Sequence, residues 1–244
     1  MRARLFALRN LKEITRDPLS AAFGIAFPVA LLLLLQMLKK GVAGTPDSLF
    51  ALDRFAPAMA VFGLSFLMMF VGTLVANDRT SAFLQRLKAS PMGAWDYVAG
   101  YLLPMLPMAL VQGAVCFAAA GLCGLKLTPR MAPALLYLLP TALLFISIGL
   151  LLGTLLSASG ANGISSVIVQ AAALLSGAFF PLELLQGTFK TICYALPFAH
   201  GVDAVAQAMA GQYGKAAPHA AVTCGYALAL CLLAVWVFHK KARD

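Results

Sequence analysis

Six long apolar runs are the feature that most constrains the fold of this chain. They cover roughly residues 20–38, 55–76, 97–123, 132–156, 161–180 and 217–238. About 20 apolar residues in an α-helix cross the hydrocarbon layer of a membrane, which is about 30 Å thick. Each run is continuously apolar and lacks the alternating pattern of membrane strands, so helices are expected rather than a barrel. The sequence therefore predicts an all-α membrane protein with six transmembrane helices, in which residues 1–244 form a single domain.

The composition agrees with a membrane location. Hydrophobic residues make up 61% of the chain and charged residues 11%, against about 45–50% and about 25% in soluble domains. A net charge of +9 is compatible with binding nucleic acid, but the basic residues cluster at the ends of the runs and form no single patch. Anionic lipid head groups are the simpler partner, so we expect contact with the lipid bilayer and none with nucleic acid.

The distribution of lysine and arginine predicts the orientation. With the N-terminus inside, more basic residues fall in cytoplasmic segments than in segments on the other side, although Lys39 and Lys40 run against this bias. An even number of spans places both termini on one side, and both terminal segments are basic. We therefore expect both termini in the cytoplasm.

Residues 1–18 predict an amphipathic helix ahead of the first span. Leu5, Leu8 and Leu11 share one face of this helix, and the basic side chains share another. Such a helix lies on a membrane surface, here the inner leaflet. Pro18 is expected to end it and to turn the chain into the first span. The alternative is a basic flank that only orients the protein.

A charged connector, NDRTSAFLQRLKASPMGAWD, separates the second and third runs. Asn77 and Asp78 are residue types that favour the N-cap of a helix, and a Ser-Pro pair supplies the stop. We expect a short cytoplasmic helix whose apolar ridge, Phe83, Leu84 and Leu87, is surrounded by basic side chains. A helix of this kind suits docking into a groove of a soluble partner.

Small and polar residues follow one face of the fifth run. Asn162, Ser166, Gln170 and Gly177 recur at helical spacings. This face is expected to line either a substrate path or a subunit interface. The alternative is that these residues only bond and pack to neighbouring helices of the same chain.

Three small residues of the fourth run, Gly149, Gly153 and Ser157, recur at intervals of four. A stripe of this kind allows a neighbouring helix to approach closely. We therefore expect another span to pack against it.

The segment between the fifth and sixth runs, residues 181–214, is too polar and too often broken by proline and glycine to span the membrane. It contains two short amphipathic pieces at about 182–195 and 200–210. Two short helices dipping into the outer half of the bundle explain this pattern, because broken backbone at membrane depth survives only when protein covers it. The residues assigned to this re-entrant segment are Pro181, Glu183, Pro197 and Asp203.

Features that the chain lacks separate several classes of function. The centres of the spans hold no ionisable residue, which disfavours a proton-coupled carrier, although a sodium-coupled secondary transporter stays as an alternative. The chain has no GxxxxGK[ST], so uphill transport would draw its energy from another polypeptide.

Ser65 lies in a Gly-Leu-Ser motif similar to that of intramembrane hydrolases. That chemistry needs a base beside the serine, but every histidine lies at or beyond a span end. Without CxxC, HExxH or a Cys/His cluster, no catalytic or metal-binding residue is assigned.

The connector resembles the coupling helix of ABC-2 type transporter permeases. It keeps the family's features at Asp78-Arg79, Leu87, Ser90-Pro91 and Trp95. It departs from the family at Ser81-Ala82-Phe83, where the pattern has Gly-Thr-Glu. Two further regions are similar to the same family: Arg16-Asp17-Pro18 ahead of a run that contains Pro28, and the stretch from Ser176 through Glu183 to Leu196-Pro197 and Asp203.

This resemblance implies a permease subunit of an exporter, without catalysis or cofactor of its own. A second permease copy, expected to be identical, and separate ATP-binding subunits that hold ATP-Mg would complete the transporter in a bacterial inner membrane. Substrate would leave between the two permease copies, lined mainly by the first, second and fifth spans. Apolar spans suit a drug or a lipid-like molecule. The residues assigned to contact with the ATPase are Asp78, Arg79, Phe83, Leu84, Arg86, Leu87 and Lys88.

Overall fold

The computed structural model describes residues 2–16, 18–42, 50–81, 93–179, 182 and 187–243. Helices dominate these residues, and no strand occurs among them, which confirms the predicted all-α fold. The helices in chain order are α1 Arg2–Arg16, α2 Pro18–Gly41, α3 Leu52–Thr80, α4 Ala94–Leu122, α5 Met131–Leu136, α6 Leu138–Leu155, α7 Ala158–Leu175, α8 Thr188–Ala195, α9 Pro197–Met209 and α10 Tyr213–Arg243.

Six stretches of the described chain are helical, long and apolar enough to cross a membrane, and they match the six predicted runs. They are Gly24–Gly41, Leu52–Thr80, Ala94–Leu122, Met131–Leu155, Ala158–Leu175 and Tyr213–Lys241. The second is longer than predicted at both ends. The fifth is shorter than the predicted 161–180, because Gly177 has a φ of 76° and cannot continue a right-handed helix.

The first helix of the chain separates from the second where the sequence predicts. α1 ends at Arg16, and α2 begins at Pro18. Proline fits the first position of a helix because its missing N–H would have no intrahelical partner there. The predicted N-terminal helix is therefore confirmed as an element distinct from the first span.

The central helix of the bundle is α3. It contacts α2, α4, α6, α7 and α9, and 72% of its membrane-spanning window is buried, against 22% for α2 and 28% for α7. Leu64 and Met68 of α3 are fully buried. Since lipid is as apolar as these side chains, close packing rather than escape from water stabilises the contacts. α2 and α7 are therefore peripheral helices that leave much of their surface uncovered within one chain.

Close packing of α3 on α6 depends on two glycines. A Cβ at Gly149 would lie 2.5 Å from the carbonyl oxygen of Met68, and a Cβ at Gly153 would lie closer still to that of Gly72. The close approach predicted from the small-residue stripe is confirmed at both glycines. Ser157 does not belong to this contact, because it is the N-cap of α7 and its hydroxyl accepts a hydrogen bond from the first turn of that helix.

Both ends of the chain meet at one end of the bundle, which we call the terminal end. The ring of Tyr97, at the start of α4, stacks on Phe238 near the end of α10, with 3.6 Å between ring centroids. The same tyrosine stacks on Phe6 of α1 at 5.8 Å. The two termini therefore lie on the same side of the bundle, as an even number of spans requires.

Two short helices, α8 and α9, lie at the opposite end of the bundle. They correspond to the two amphipathic pieces expected between the fifth and sixth spans. Pro197 is the first residue of α9, most of which is buried against its neighbours. Leu182 packs in a small apolar cluster with Cys193 and Ala199. Pro181 and Glu183, two residues assigned to this region, lie outside the described residues.

Candidate coupling junction

The charged connector leaves the bundle at the end of α3 and returns at the start of α4. Its central part, residues 82–92, lies outside the described residues. The predicted docking residues in that part are Phe83, Leu84, Arg86, Leu87 and Lys88. Both ends of the connector are described, and both meet α1.

A single carboxylate joins three helices at this point. Asp78 lies in the last turn of α3 and is only 5% exposed. Arg9 of α1 grips both carboxylate oxygens, with Nη1–Oδ2 at 2.6 Å and Nη2–Oδ1 at 2.9 Å. The hydroxyl of Tyr101, from α4, donates to Oδ2 at 2.6 Å. This bidentate ion pair is a strong, geometrically specific contact, and it ties both ends of the connector to the N-terminal helix.

The charge on Arg9 is stabilised at the junction. Burial disfavours the charged guanidinium, but the hydrogen bond and the negative charge of Asp78 outweigh this effect, so the pKa of Arg9 is raised. The same guanidinium also donates to Oδ1 of Asn10 at 2.9 Å.

The prediction that Asn77 and Asp78 cap the connector helix is wrong. Both residues belong to the last turn of α3, which continues to Thr80 and is followed by Ser81. The physical reason is that Arg9 compensates the buried carboxylate, so a charged turn is stable inside the bundle.

Arg79 fixes the same turn of α3 to the end of α6. Its guanidinium donates to the carbonyl oxygens of Thr154 and Leu156, the latter at 2.9 Å. The last carbonyls of a helix lack intrahelical partners, and a cation stabilises them. Lys241 of α10 donates to the same carbonyl of Thr154 at 3.3 Å. Asp78 and Arg79 therefore both face into the bundle.

One face of α1 is seated on the start of α4. Phe6 is 5% exposed, and its ring lies so close to Gly100 that a Cβ there would collide with it. Asn10 is fully buried, and its Nδ2 donates to the carbonyl oxygen of Gly100 at 3.0 Å. The ring of Tyr101 makes an edge contact with Phe6 at 5.0 Å. These contacts orient α1 so that Arg9 reaches the carboxylate.

The opposite face of α1 presents the three predicted leucines. Leu5, Leu8 and Leu11 are all exposed within the chain. An exposed apolar stripe on a helix at the end of a membrane bundle matches the surface that an interfacial helix presents to lipid. The predicted leucine face of α1 is therefore exposed, whereas Arg9 of the predicted basic face turns into the bundle to bind Asp78.

A family model of the ABC-2 type transporter matches residues 3–210, from α1 through α9, and includes the whole junction. The chain belongs to the ABC-2 type transporter family. It is thus the membrane component of an ABC transporter and a multi-pass membrane protein, and permeases of this family normally partner with an ATP-binding subunit. This membership favours a transport subunit over the hydrolase alternative. Among curated proteins, none matches the chain.

In this ABC-2 permease, the polar residues of the fifth span do not share one environment. The hydroxyl of Thr73 on α3 donates to Oδ1 of Asn162 at 2.6 Å, so Asn162 packs within the chain. Ser166 and Gln170 are exposed on α7. The prediction that Gly177 continues their face is wrong: it lies beyond the end of α7 and packs on Leu182.

The permease carries a second polar cluster at the opposite end. Asp203 of α9 is 5% exposed and pairs with Arg54 of α3, with Oδ1 and Nη2 2.9 Å apart. The hydroxyl of Tyr194 on α8 donates to Oδ2 of Asp203 at 2.9 Å. Asp203, assigned from the sequence to the re-entrant segment, therefore anchors α9 to α3 and α8.

Sequence reasoning missed the partners that complete the junction of the permease, namely Arg9, Asn10 and Tyr101. One signal pointed to them, because an aspartate at the end of an apolar span requires a cation or donors when buried. The sequence offered several N-terminal basic residues for that role. The choice of Arg9 depends on how α1 sits on α4, which no local pattern encodes.

Proposed function

We propose that this chain is the permease subunit of an exporter driven by a separate ATP-binding subunit, which holds ATP-Mg. Two identical copies form the transporter in a bacterial inner membrane, with the terminal end in the cytoplasm. The observation that carries the proposal is the junction at Asp78, where one buried carboxylate links α1, α3 and α4. A docking segment transmits movement efficiently when both its ends are fixed to the spans.

In this proposal the connector is the coupling helix. Phe83, Leu84 and Leu87 form the ridge that docks into the ATPase, and Arg86 and Lys88 surround it. Asp78 and Arg79 act from inside the bundle, where they hold the base of the connector against α1, α4 and α6. Movement of the docked ridge would therefore reach α1, α4 and α6 as well as the central helix.

We place the translocation path along α2, α3 and α7. Phe62 of α3 lies 6.2 Å from Phe27 of α2 and 6.0 Å from Phe179, just beyond α7, measured between ring centroids. The two peripheral helices therefore flank one side of α3. Gln170 is exposed and has no hydrogen-bond partner among the described residues. An unpaired amide at membrane depth is unfavourable, so this face requires a second copy or a water-filled path beside it.

The side chains on the side of α3 that α2 and α7 flank support an amphipathic substrate. Phe27, Phe62 and Phe66 form a cluster of aromatic rings between α2 and α3, while Ser166 and Gln170 provide polar groups on α7. Apolar surfaces with a few placed polar groups are typical of sites for drug-sized ligands. A drug or a lipid-like molecule fits this combination better than a strongly hydrated solute.

The coupling proposal is tested by replacing Phe83 and Leu87 together with aspartate. We expect insertion to persist, because both residues lie outside the spans, and the co-purifying P-loop ATPase to fall at least about tenfold, since charges replace the docking ridge. The measurement is a mild-detergent pull-down from the native host with ATP hydrolysis assayed. Leu127→Asp, at an exposed leucine of the opposite end, is the matched control and keeps the ATPase. Export retained in the double variant would refute the role of the ridge.

The proposed subunit face is tested by cross-linking at Gln170. In a variant whose five cysteines are replaced by alanine, Gln170→Cys is expected to give a cross-linked dimer with a bifunctional thiol reagent. Leu232→Cys on α10, also exposed, is the control and is expected to remain monomeric because it faces lipid. Equal cross-linking at both positions, or cross-linking at Leu232 alone, would contradict the assignment of α7 to the interface.

A further inference from the structure

Two histidines meet at the opposite end of the bundle, in a contact that the proposed coupling function does not use. Nδ1 of His200 on α9 lies 2.7 Å from Nδ1 of His219 on α10, and their ring centroids are 5.0 Å apart. Both side chains are partly buried. The contact therefore joins a short helix of the re-entrant segment to the last span.

The neighbouring backbone determines which nitrogen carries a proton. Nε2 of His200 lies 3.0 Å from the carbonyl oxygen of Tyr194. A carbonyl only accepts hydrogen bonds, so Nε2 must be protonated, and Nδ1 of a neutral His200 is then an acceptor. His219 is consequently the donor, through its own Nδ1–H. The neutral pair has one stable arrangement, with a single hydrogen bond from α10 to α9.

Protonation affects this bond in two different steps. A first proton gives the pair one positive charge and still leaves a single N–H between the two Nδ1 atoms, so the bond stays in place and becomes charge-assisted. A second proton has to enter at the Nδ1 that is then the acceptor. Two N–H groups then face each other across 2.7 Å, and two positive rings adjoin. The second step therefore removes the bond, and it requires more acidic conditions than the first because the two sites interact.

The charged and titratable groups around the pair come from α3, α8 and α9. Asp203 favours protonation, but its carboxylate is already paired with Arg54 of α3. The hydroxyl of Tyr194 on α8 also donates to that carboxylate, and its ring contacts His200 edge-on at 5.6 Å. The positive charge of Arg54 disfavours a further proton on the histidine pair. A doubly protonated pair therefore finds no unpaired carboxylate among these groups.

We propose that His200 and His219 form an acid-labile latch, which holds α9 to α10 at neutral pH and loosens when both rings are protonated. Loosening follows the second protonation, on the acid side of the range in which histidine ordinarily changes charge. The latch connects the re-entrant segment to the last span, so acid loosens the contact between α9 and α10 at the opposite end of the bundle. Its placement on the outer side of the membrane rests on the proposed function, whereas its chemistry does not.

The first test is hydrogen–deuterium exchange of the full chain in lipid nanodiscs, at about pH 7.5 and about pH 5, corrected for the intrinsic effect of pH. Amides of α9 and of the first turns of α10 are expected to exchange about tenfold faster in acid. His219→Gln is expected to abolish the acid response, because its amide donates to neutral His200, accepts from protonated His200 through its oxygen and carries no charge itself. His239→Gln, at the terminal end, is the control and keeps the response.

An acid response that survives in both His200→Gln and His219→Gln would overturn the latch, and so would its absence from the native protein. A second measurement covers the case in which one variant folds poorly. The chain contains three histidines, so nitrogen-labelled histidine gives a simple NMR spectrum. Two titration steps that each shift the signals of both rings support the latch, and a single step confined to each ring refutes it. Neither measurement uses an ATPase or a substrate, so failure of the latch is distinguishable from failure of the exporter proposal.

Discussion

Replacement of Asp78 by asparagine is expected to lower the free energy of unfolding by about 3 kcal/mol, since it removes the counter-ion of Arg9 from a mostly buried site. The amide keeps the shape of the side chain and still accepts from Tyr101, but it does not neutralise the guanidinium. α1 is expected to loosen first, because the ion pair is its link to α3. Thermal unfolding of the full chain in nanodiscs measures the loss, and hydrogen exchange of α1 locates it.

Glu13→Gln is the matched control for this change. Glu13 also pairs with Arg9, at 3.7 Å, but its side chain is 41% exposed and the pair lies within one helix. Its removal is expected to change stability by less than about 0.5 kcal/mol. Combining Arg9→Met with Asp78→Leu removes both charges and is expected to recover part of the loss. Equal losses for Glu13→Gln and Asp78→Asn would show that the junction is not the stabilising contact.

Gly153→Ala is expected to destabilise the bundle by about 2 kcal/mol, because the added Cβ forces α6 away from α3. That atom would overlap the carbonyl oxygen of Gly72 and would lie 2.7 Å from Cβ of Val75. Backbone cannot yield as a flexible side chain can, so the helices must separate along the contact. The measurement is the midpoint of thermal or denaturant unfolding of the purified full chain.

Gly163→Ala separates this steric effect from helix propensity. Gly163 lies on the exposed side of α7, where a Cβ would meet nothing within 4 Å. Alanine favours a helix over glycine by up to about 1 kcal/mol, so this control is expected to be neutral or stabilising. A loss at Gly163 comparable to that at Gly153 would remove the argument from close packing.

The amino-acid sequence was sufficient for the features that depend on local composition. Six apolar runs predict six spans because a segment's preference for the membrane is set by its own residues. Pro18 marks the start of α2, and the spacing of Gly149 and Gly153 predicts a close helix contact, since each signal acts within a few residues. The end of α7 was missed because glycine permits a positive φ without requiring one.

Only the tertiary structure decided which distant groups meet. Arg9 pairs with Asp78 across 69 positions, and His200 meets His219 across two helices. Each pair exists because whole helices pack side by side, and the sequence pattern of one helix does not specify its neighbour. The apolar content of this chain therefore predicts six membrane-spanning helices, whereas helix packing determined where its buried charges find partners, because a buried charge is stable only beside a group that compensates it.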